Sequence, residues 1–318
     1  MKVIDIVKNA QSTLFSFEIL PPLKGRNINV LYQVIDPLIE FNPFAINITY
    51  HQEEIVFEKL ENGLHKMRSV RKRPGTVAIS GAIKNKYPSL EVVPHLICGG
   101  FSKEETEYAL IDLNYLGIDN VLALRGDPIR SQKYFTPDAN GHAHASELIE
   151  QIGKMNKGIF LDHEVASNSP TSFCIGAACY PEKHYESPNL DYDIQFIKKK
   201  IENGAEYLVT QMFFENQHYF DFVNACRAQG IEVPIIPGLK PLMSKKEINI
   251  LAQTFHIDLP EALVKEVNKC KNDEEAWQVG VEWSIQQSKE LKAAGVPVLH
   301  YYTISRSENI RQIAQQVF

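Results

Sequence analysis

Residues 172–214 read SFCIGAACYPEKHYESPNLDYDIQFIKKKIENGAEYLVTQMFF, and three signals in this run set the architecture. Its first nine residues are nearly continuously apolar, the pattern of a strand covered on both faces. Leu190, Ile194, Ile197 and Ile201 then recur at spacings of four, three and four, one apolar stripe of a helix. Gly204 follows where a helix end favours a left-handed residue, and 206–214 is a second buried strand. Strand, helix and strand in succession form the unit of a parallel sheet.

The same alternation runs through the chain. Apolar runs at 14–20 (LFSFEIL), 44–50 (FAINITY), 91–97 (EVVPHLI), 120–126 (NVLALRG), 232–239 (EVPIIPGL) and 297–304 (PVLHYYTI) bring the predicted strands to eight. Between them, Ser102-x-x-Glu105, Ser244-x-x-Glu247 and Ser305-x-x-Glu308 have capping-box spacing, and Gly117 ends a helix. The connections 52–89 and 244–295 exceed a simple βα unit and are predicted to hold extra helices. Eight strands alternating with helices favour an α/β fold of the (β/α)8 TIM-barrel type, with additional helices, over an open doubly wound sheet. With no linker-like segment or repeat, residues 1–318 read as one catalytic barrel domain.

Composition narrows the partners. The chain is 44% hydrophobic and 23% charged, ordinary for a globular protein. Its net charge of −6 disfavours nucleic acid, which needs a cationic surface. No apolar run approaches the roughly 18 residues of a membrane span. The start MKVIDIVK has an acidic residue where a signal peptide would be apolar, and five Cys make no disulfide framework, so the expected location is the cytoplasm. No C-x-x-C, H-E-x-x-H, G-x-G-x-x-G, P-loop or G-x-S-x-G motif occurs, so neither a metal site nor a Rossmann fold is expected.

Barrel chemistry gathers where the strands end. The polar residues there are Glu18, Thr49, His95, Arg125 with Asp127, Tyr180 with His184, Gln211, and Tyr302 with Arg306; the seventh strand offers only the Pro237-Gly238 bend. Glu18 lies among Phe15, Phe17, Ile19, Leu20, Pro21 and Pro22. Burial there would raise its pKa and suit a general acid; a partly exposed, salt-bridged Glu is the alternative. Arg125-Gly126-Asp127 reads either as a ligand grip or as a tight turn closed by an Arg–Asp pair. His95 reads as a hydrogen-bonded interior histidine rather than a metal ligand. Asp193, Phe196 and Lys200 share a helix flank that could carry a nucleotide tail, or could merely complement the helix dipole.

Taken together, FSFEILPP, NITY, PHLIC, ALRGD, YPEKH, GAEYLVTQMFF, IIPGLKP and HYYTISR resemble, in order and over nearly the whole chain, the catalytic domain of methylenetetrahydrofolate reductase. The resemblance implies an FAD enzyme that takes hydride from NADH or NADPH and passes it to 5,10-methylenetetrahydrofolate, giving 5-methyltetrahydrofolate. It makes Glu18 the general acid and Asp127 the carboxylate near flavin and pterin. Gln211, Tyr302 and Arg306 become substrate contacts, with Arg306 suited to the anionic glutamate tail. For FAD it implies Thr49, Tyr50, His95, Leu124, Arg125, Gly126 and Asp127. Ala145, Tyr180, His184, Asp193, Lys199 and Lys200 complete that set. A homo-oligomer is also implied.

The chain departs from the family at several points. His51-Gln52 replaces a frequent Gly-Ala, Phe196 stands where a polar cofactor contact is common, and Leu251 where some relatives stack an aromatic ring. A polar stretch, 164–171, precedes the fifth strand. Eukaryotic relatives carry a further regulatory domain, so inhibition by S-adenosylmethionine through such a domain is not expected here. Competing readings are another flavin barrel of the proline dehydrogenase kind, which a substrate panel would separate, and a folate-binding barrel without redox work, which would be colourless.

Overall fold

The computed structural model describes residues 1–129, 132–162, 169–304 and 306–318. Strands β1 (Leu14–Ile19) and β2 (Ala45–Ile48) are followed by an antiparallel pair, β3 (Glu54–Lys59) and β4 (His65–Val70). Then come β5 (Glu91–Ile97), β6 (Asn120–Leu124), β7 (Cys174–Cys179), β8 (Tyr207–Thr210), β9 (Ile235–Ile236), β10 (Gly238–Leu239) and β11 (Val298–Ile304). Apart from β3 and β4, they form one parallel sheet in the order β10-β11-β1-β2-β5-β6-β7-β8-β9. β9 and β10 are the two halves of the seventh predicted strand, parted at Pro237, which has no N–H to give. β8 pairs with β9 and β10 with β11, so this broken strand closes a (β/α)8 barrel. The Pro237 carbonyl still accepts from the His300 N–H at 3.1 Å.

The helices are α1 (Val3–Asn9), α2 (Asn29–Ile35), α3 (Thr76–Lys86), α4 (Lys103–Tyr115), α5 (Ala145–Met155), α6 (Leu190–Glu202) and α7 (Asn216–Ala228). They continue with α8 (Glu247–Phe255), α9 (Glu261–Lys269), α10 (Asp273–Ala293) and α11 (Glu308–Val317). Strand alternation sorts the side chains: Phe15, Phe17 and Ile19 pack outward into the main apolar core with the helices. The barrel interior is a separate apolar layer of Val93, Leu122, Cys174, Tyr207, Val209, Ile236 and Val298. Val3, Ile4 and Val7 of α1 join it and seal the end where the strands begin. The Val3 N–H donates to Asn120 Oδ1 (2.7 Å) and the Met1 ammonium pairs with Glu91 (2.8 Å), fixing this plug to β5 and β6.

Two local expectations change. The connection 52–89 holds a hairpin and one helix, α3, rather than helices throughout. Residues 54–59 and 65–70 pair antiparallel about Asn62-Gly63; Gly63 has φ 83° and Asn62 Oδ1 accepts from the Leu64 N–H, which is hairpin chemistry. The 244–295 connection is helical, as expected, with α8, α9 and α10. Of the capping boxes, Ser102–Glu105 forms with both reciprocal bonds. Ser244–Glu247 does not, because Glu247 is already the first residue of α8. Its carboxylate instead accepts from the Met243 N–H at 2.8 Å and from the buried Lys240 ammonium at 3.0 Å. Ser305 lies outside the described residues, as does most of 164–171. All five cysteines are buried and free.

Candidate active site

At the C-terminal ends of the strands, β1 delivers Glu18 to the inner face. In the register of β1 against β11, Glu18 sits opposite Tyr302, but Ile19 sits opposite Ile304, so Thr303 is an extra residue. Such a bulge re-aims the side chains beside it. The Thr303 hydroxyl donates to the Glu18 carbonyl, which pins the bulge. The Glu18 carboxyl is turned inward with a side-chain exposure of 15%, and Oε2 lies 3.4 Å from Nε2 of His95 on β5. Burial pushes the Glu18 pKa up to about 8. Burial, with His300 and His51 nearby, pulls His95 down to about 3. The pair is therefore a protonated carboxyl beside a neutral imidazole near neutral pH, not an ion pair.

A second polar tier lies one inward position below. Ser16, under Glu18, is 2.9 Å through Oγ from Nδ1 of His300. His300 lies under Tyr302 and is also held neutral by burial, at about 3. Asn47, under Thr49, is 3.4 Å through Nδ2 from Nε2 of His95. Ser16, Asn47 and His300 line an interior cavity together with Val93, Tyr207 and Val209. Above them the Tyr302 hydroxyl donates to the Thr210 carbonyl at 2.5 Å. Burial, with Glu18 alongside, holds the Tyr302 hydroxyl well above its usual range. None of Ser16, Asn47 and His300 was singled out from sequence; period-two alternation places each two residues before a rim residue on the same face, which is the signal that could have found them.

The β2, β5 and β6 ends form one side of the mouth. Thr49 Oγ1 and the Tyr50 hydroxyl are buried without hydrogen-bond partners among the described residues. Tyr50 packs against Phe101 with ring centres 5.0 Å apart. Gly126 has φ 85°, and a Cβ there would press on Ile97 at 3.2 Å. Arg125 is gripped by Glu186 through two bonds of 2.6 and 3.1 Å, rather than by Asp127 as a local turn would have it. The Asp127 side chain is exposed, and its carbonyl accepts from Gln52 Nε2 at 2.7 Å. Leu124 ends β6, half-buried beside Arg125.

The β7 side is held by its own network. Tyr180 meets His184 edge-on at 4.7 Å. The two Asp193 oxygens accept from the His184 N–H (3.1 Å) and the Ser187 hydroxyl (3.0 Å), tying the β7–α6 loop to its helix. Lys200 is turned inward and donates to the Ala178 carbonyl at 2.8 Å. Lys199 is exposed, Phe196 is exposed against Tyr192, and Ala145 is buried as the first residue of α5. Gln211 shares a pocket with Tyr180, Met212, Phe255 and Ile257, its Oε1 accepting from the Met212 N–H at 2.9 Å. Leu251 is buried in the apolar cluster with Met212 and Ile257. The exposed Arg306 follows β11. Among the described residues no cluster of His, Cys, Asp and Glu is placed to hold a metal ion, and no helix is long and apolar enough to cross a membrane.

Fold and site together define a TIM-type barrel with a protonated carboxyl group at its mouth. Residues 2–317 match the profile of the family described as Methylenetetrahydrofolate reductase, and the chain belongs to that family. It is 29% identical over 318 residues to Methylenetetrahydrofolate reductase (NADH) 1 of Arabidopsis thaliana, covering 96% of this chain and 49% of the relative. It is 30% identical over 294 residues to 5,10-methylenetetrahydrofolate reductase of Buchnera aphidicola subsp. Baizongia pistaciae, covering 92% and 87%. The chain thus spans about half the length of the plant relative and most of the Buchnera one. Among solved structures, an uncharacterized Clostridium thermocellum protein described as binding two copies of 5-methyl-5,6,7,8-tetrahydrofolic acid superposes with a TM-score of 0.58 at 16% identity, over 98% of this chain and 96% of that one. At that identity the likeness is one of fold.

Proposed function

We propose that the chain is an FAD-dependent reductase that converts 5,10-methylenetetrahydrofolate to 5-methyltetrahydrofolate with NADH or NADPH as electron donor. The observation that carries the reading is Glu18: a carboxyl group kept protonated near neutral pH at the barrel mouth of a chain in this family. When bound, FAD would supply the redox chemistry, accepting hydride from the nicotinamide and delivering it to the folate one-carbon unit.

The residues at the mouth fit such a group. Thr49 and Tyr50 carry hydroxyls with no hydrogen-bond partner among the described residues, and Gly126 turns the chain at φ 85°, where a Cβ would press on Ile97. Arg125, oriented by Glu186, offers a fixed cation, and His95, Leu124 and Asp127 would add contacts to the group. Across the mouth, Tyr180 and His184 would complete the cradle, with Ala145, Asp193, Lys199 and Lys200 contributing directly or through the loops they hold. The carboxyl proton of Glu18 would pass to N10 of the folate; the bond from N10 to the bridging carbon then breaks, its electron pair staying on N10, and the iminium left at N5 accepts hydride. Asp127 would favour the cationic pterin, and Gln211, Tyr302 and Arg306 would hold the substrate, Arg306 at its glutamate carboxylates. On the same reading the enzyme works in the cytoplasm as a homo-oligomer of one barrel domain per chain.

The test is an absorption spectrum of the pure protein, then anaerobic bleaching with NADH or NADPH and recolouring with methylenetetrahydrofolate. A colourless protein that refuses added FAD would end the reading.

A further inference from the structure

Asn47 of β2 is 4% exposed, inside the barrel. Its Nδ2 lies 3.4 Å from Nε2 of His95, and that same Nε2 lies 3.4 Å from Oε2 of Glu18. An amide nitrogen can donate but cannot accept. Nε2 of His95 is then an acceptor, and the single proton of the neutral imidazole sits on Nδ1. Glu18 consequently faces a lone pair rather than an N–H. An ionised carboxylate would face that lone pair with no N–H to accept from, whereas a protonated, neutral carboxyl meets no such repulsion. The ionisable groups turned toward this pair do not reverse the preference. Tyr302 of β11 faces Glu18 as a neutral phenol, and His300 of β11 and His51 after β2 face His95 with their pKa values lowered by burial.

We infer that Asn47 is a positioning residue which, by fixing the tautomer of His95, keeps the proton on Glu18. The consequence for turnover rests on Glu18 being the acid of the proposed reaction; the arrangement itself does not, and it can be measured without folate or flavin. The inference explains why an amide stands in the interior tier under Thr49, where a Val or Leu would fill the space without a polar group to satisfy.

The experiment is nitrogen NMR on protein labelled in its histidine rings, with His95→Gln to assign the signal. Carbon NMR of labelled glutamate carboxyls, assigned by Glu18→Gln, accompanies it. The expected wild-type result is a His95 protonated on Nδ1 from pH 5 to 8 and a Glu18 carboxyl titrating near 8. In Asn47→Leu, which keeps the branched outline of the side chain without its N–H donor, His95 is free to turn its proton to Nε2 and donate to an ionised Glu18. The Nε2–H form should appear and the Glu18 midpoint fall by about one unit. The pH limit of folate reduction should move down with it, a loss of roughly tenfold at alkaline pH. A wild-type His95 protonated on Nε2, or an Asn47→Leu protein with tautomer and midpoint both unmoved, overturns the inference. Tautomer and midpoint as expected, in a protein that reduces no folate, would sink the proposed reaction and leave the proton placement standing.

Discussion

Oε2 of Glu18 lies 3.4 Å from Nε2 of His95, and burial drives the two pKa values apart, one up to about 8 and the other down to about 3. Between those limits both groups are uncharged, so the interior accommodates them without an ion pair and the carboxyl proton stays available. Glu18→Gln keeps the shape and removes the proton. Stopped-flow measurement should find flavin reduction by NAD(P)H nearly unchanged and folate reduction lost by at least about a hundredfold, the range of a general-acid contribution. Equal loss in both half-reactions would remove Glu18 from the acid role.

The same pair sets a pH dependence for the chemistry. In the proposed reaction the active form of Glu18 is the protonated one, so the folate half-reaction should be flat below about 8 and fall roughly tenfold for each unit above it. A profile falling instead from pH 5 would mean an ordinary exposed carboxyl.

Stability carries an independent signature of these buried groups. A raised carboxyl pKa means that from 4.5 to about 8 the folded state holds a proton the unfolded state has released, so Glu18 lowers stability as pH rises through that window. The lowered pKa values of His95 and His300 act the other way: from 6.5 down to about 3 the unfolded state gains protons that the folded state refuses, and stability falls as pH drops. Together the three groups favour a maximum near pH 6.5. Glu18→Gln should flatten the alkaline limb of a Tm-against-pH curve and steepen the acid limb between 4.5 and 6.5, where Glu18 opposes the histidines; parallel curves for wild type and variant would show that Glu18 is not buried as described.

Asp127 has a different role and a different test. Its side chain is exposed at the mouth while its backbone carbonyl is held by Gln52. Asp127→Asn keeps the backbone contact and removes the charge that would favour a cationic folate. FAD affinity should change by less than a few fold and folate reduction should weaken by roughly tenfold or more, a loss of one favourable charge interaction. Unaltered folate kinetics would exclude that charge from the mechanism.

How far the sequence could reach follows from what each signal encodes. Continuous apolar runs such as 172–180 and 206–214 specify strands buried on both faces, and the barrel follows from their alternation with helices. The position of Glu18 at a rim is readable because it lies near the end of one such run, 14–20. The hairpin at 54–70 carries a weak strand signal because its strands are short, charged and without alternation, although Asn62-Gly63 marks the turn. The partners of Glu18 come from three other strands, so no local spacing could reveal that His95, Asn47 and Tyr302 converge on it. Likewise, Arg125 turning to Glu186, sixty-one residues on, depends on the β7–α6 loop folding back over the rim, and the adjacent Asp127 was the nearer candidate in the sequence.

The break in the seventh strand also has a measurable purpose. Gly238 lies against the β8 end, and a Cβ there would overlap the Tyr302 hydroxyl and the Thr210 carbonyl, the two partners of the bond beside Glu18. Tyr302→Phe removes that bond but keeps the ring, and should cost about 1 kcal/mol, together with the unsatisfied carbonyl it leaves. Gly238→Ala should cost more, about 1–3 kcal/mol, because backbone on one side and a packed ring on the other leave the methyl no room. It should also move the Tyr302 ring away from Glu18 and impair folate reduction more than Tyr302→Phe does. Chemical denaturation of the two variants gives the order; a Gly238→Ala protein as stable as wild type would show that β10 and Tyr302 are not packed as tightly as the geometry requires.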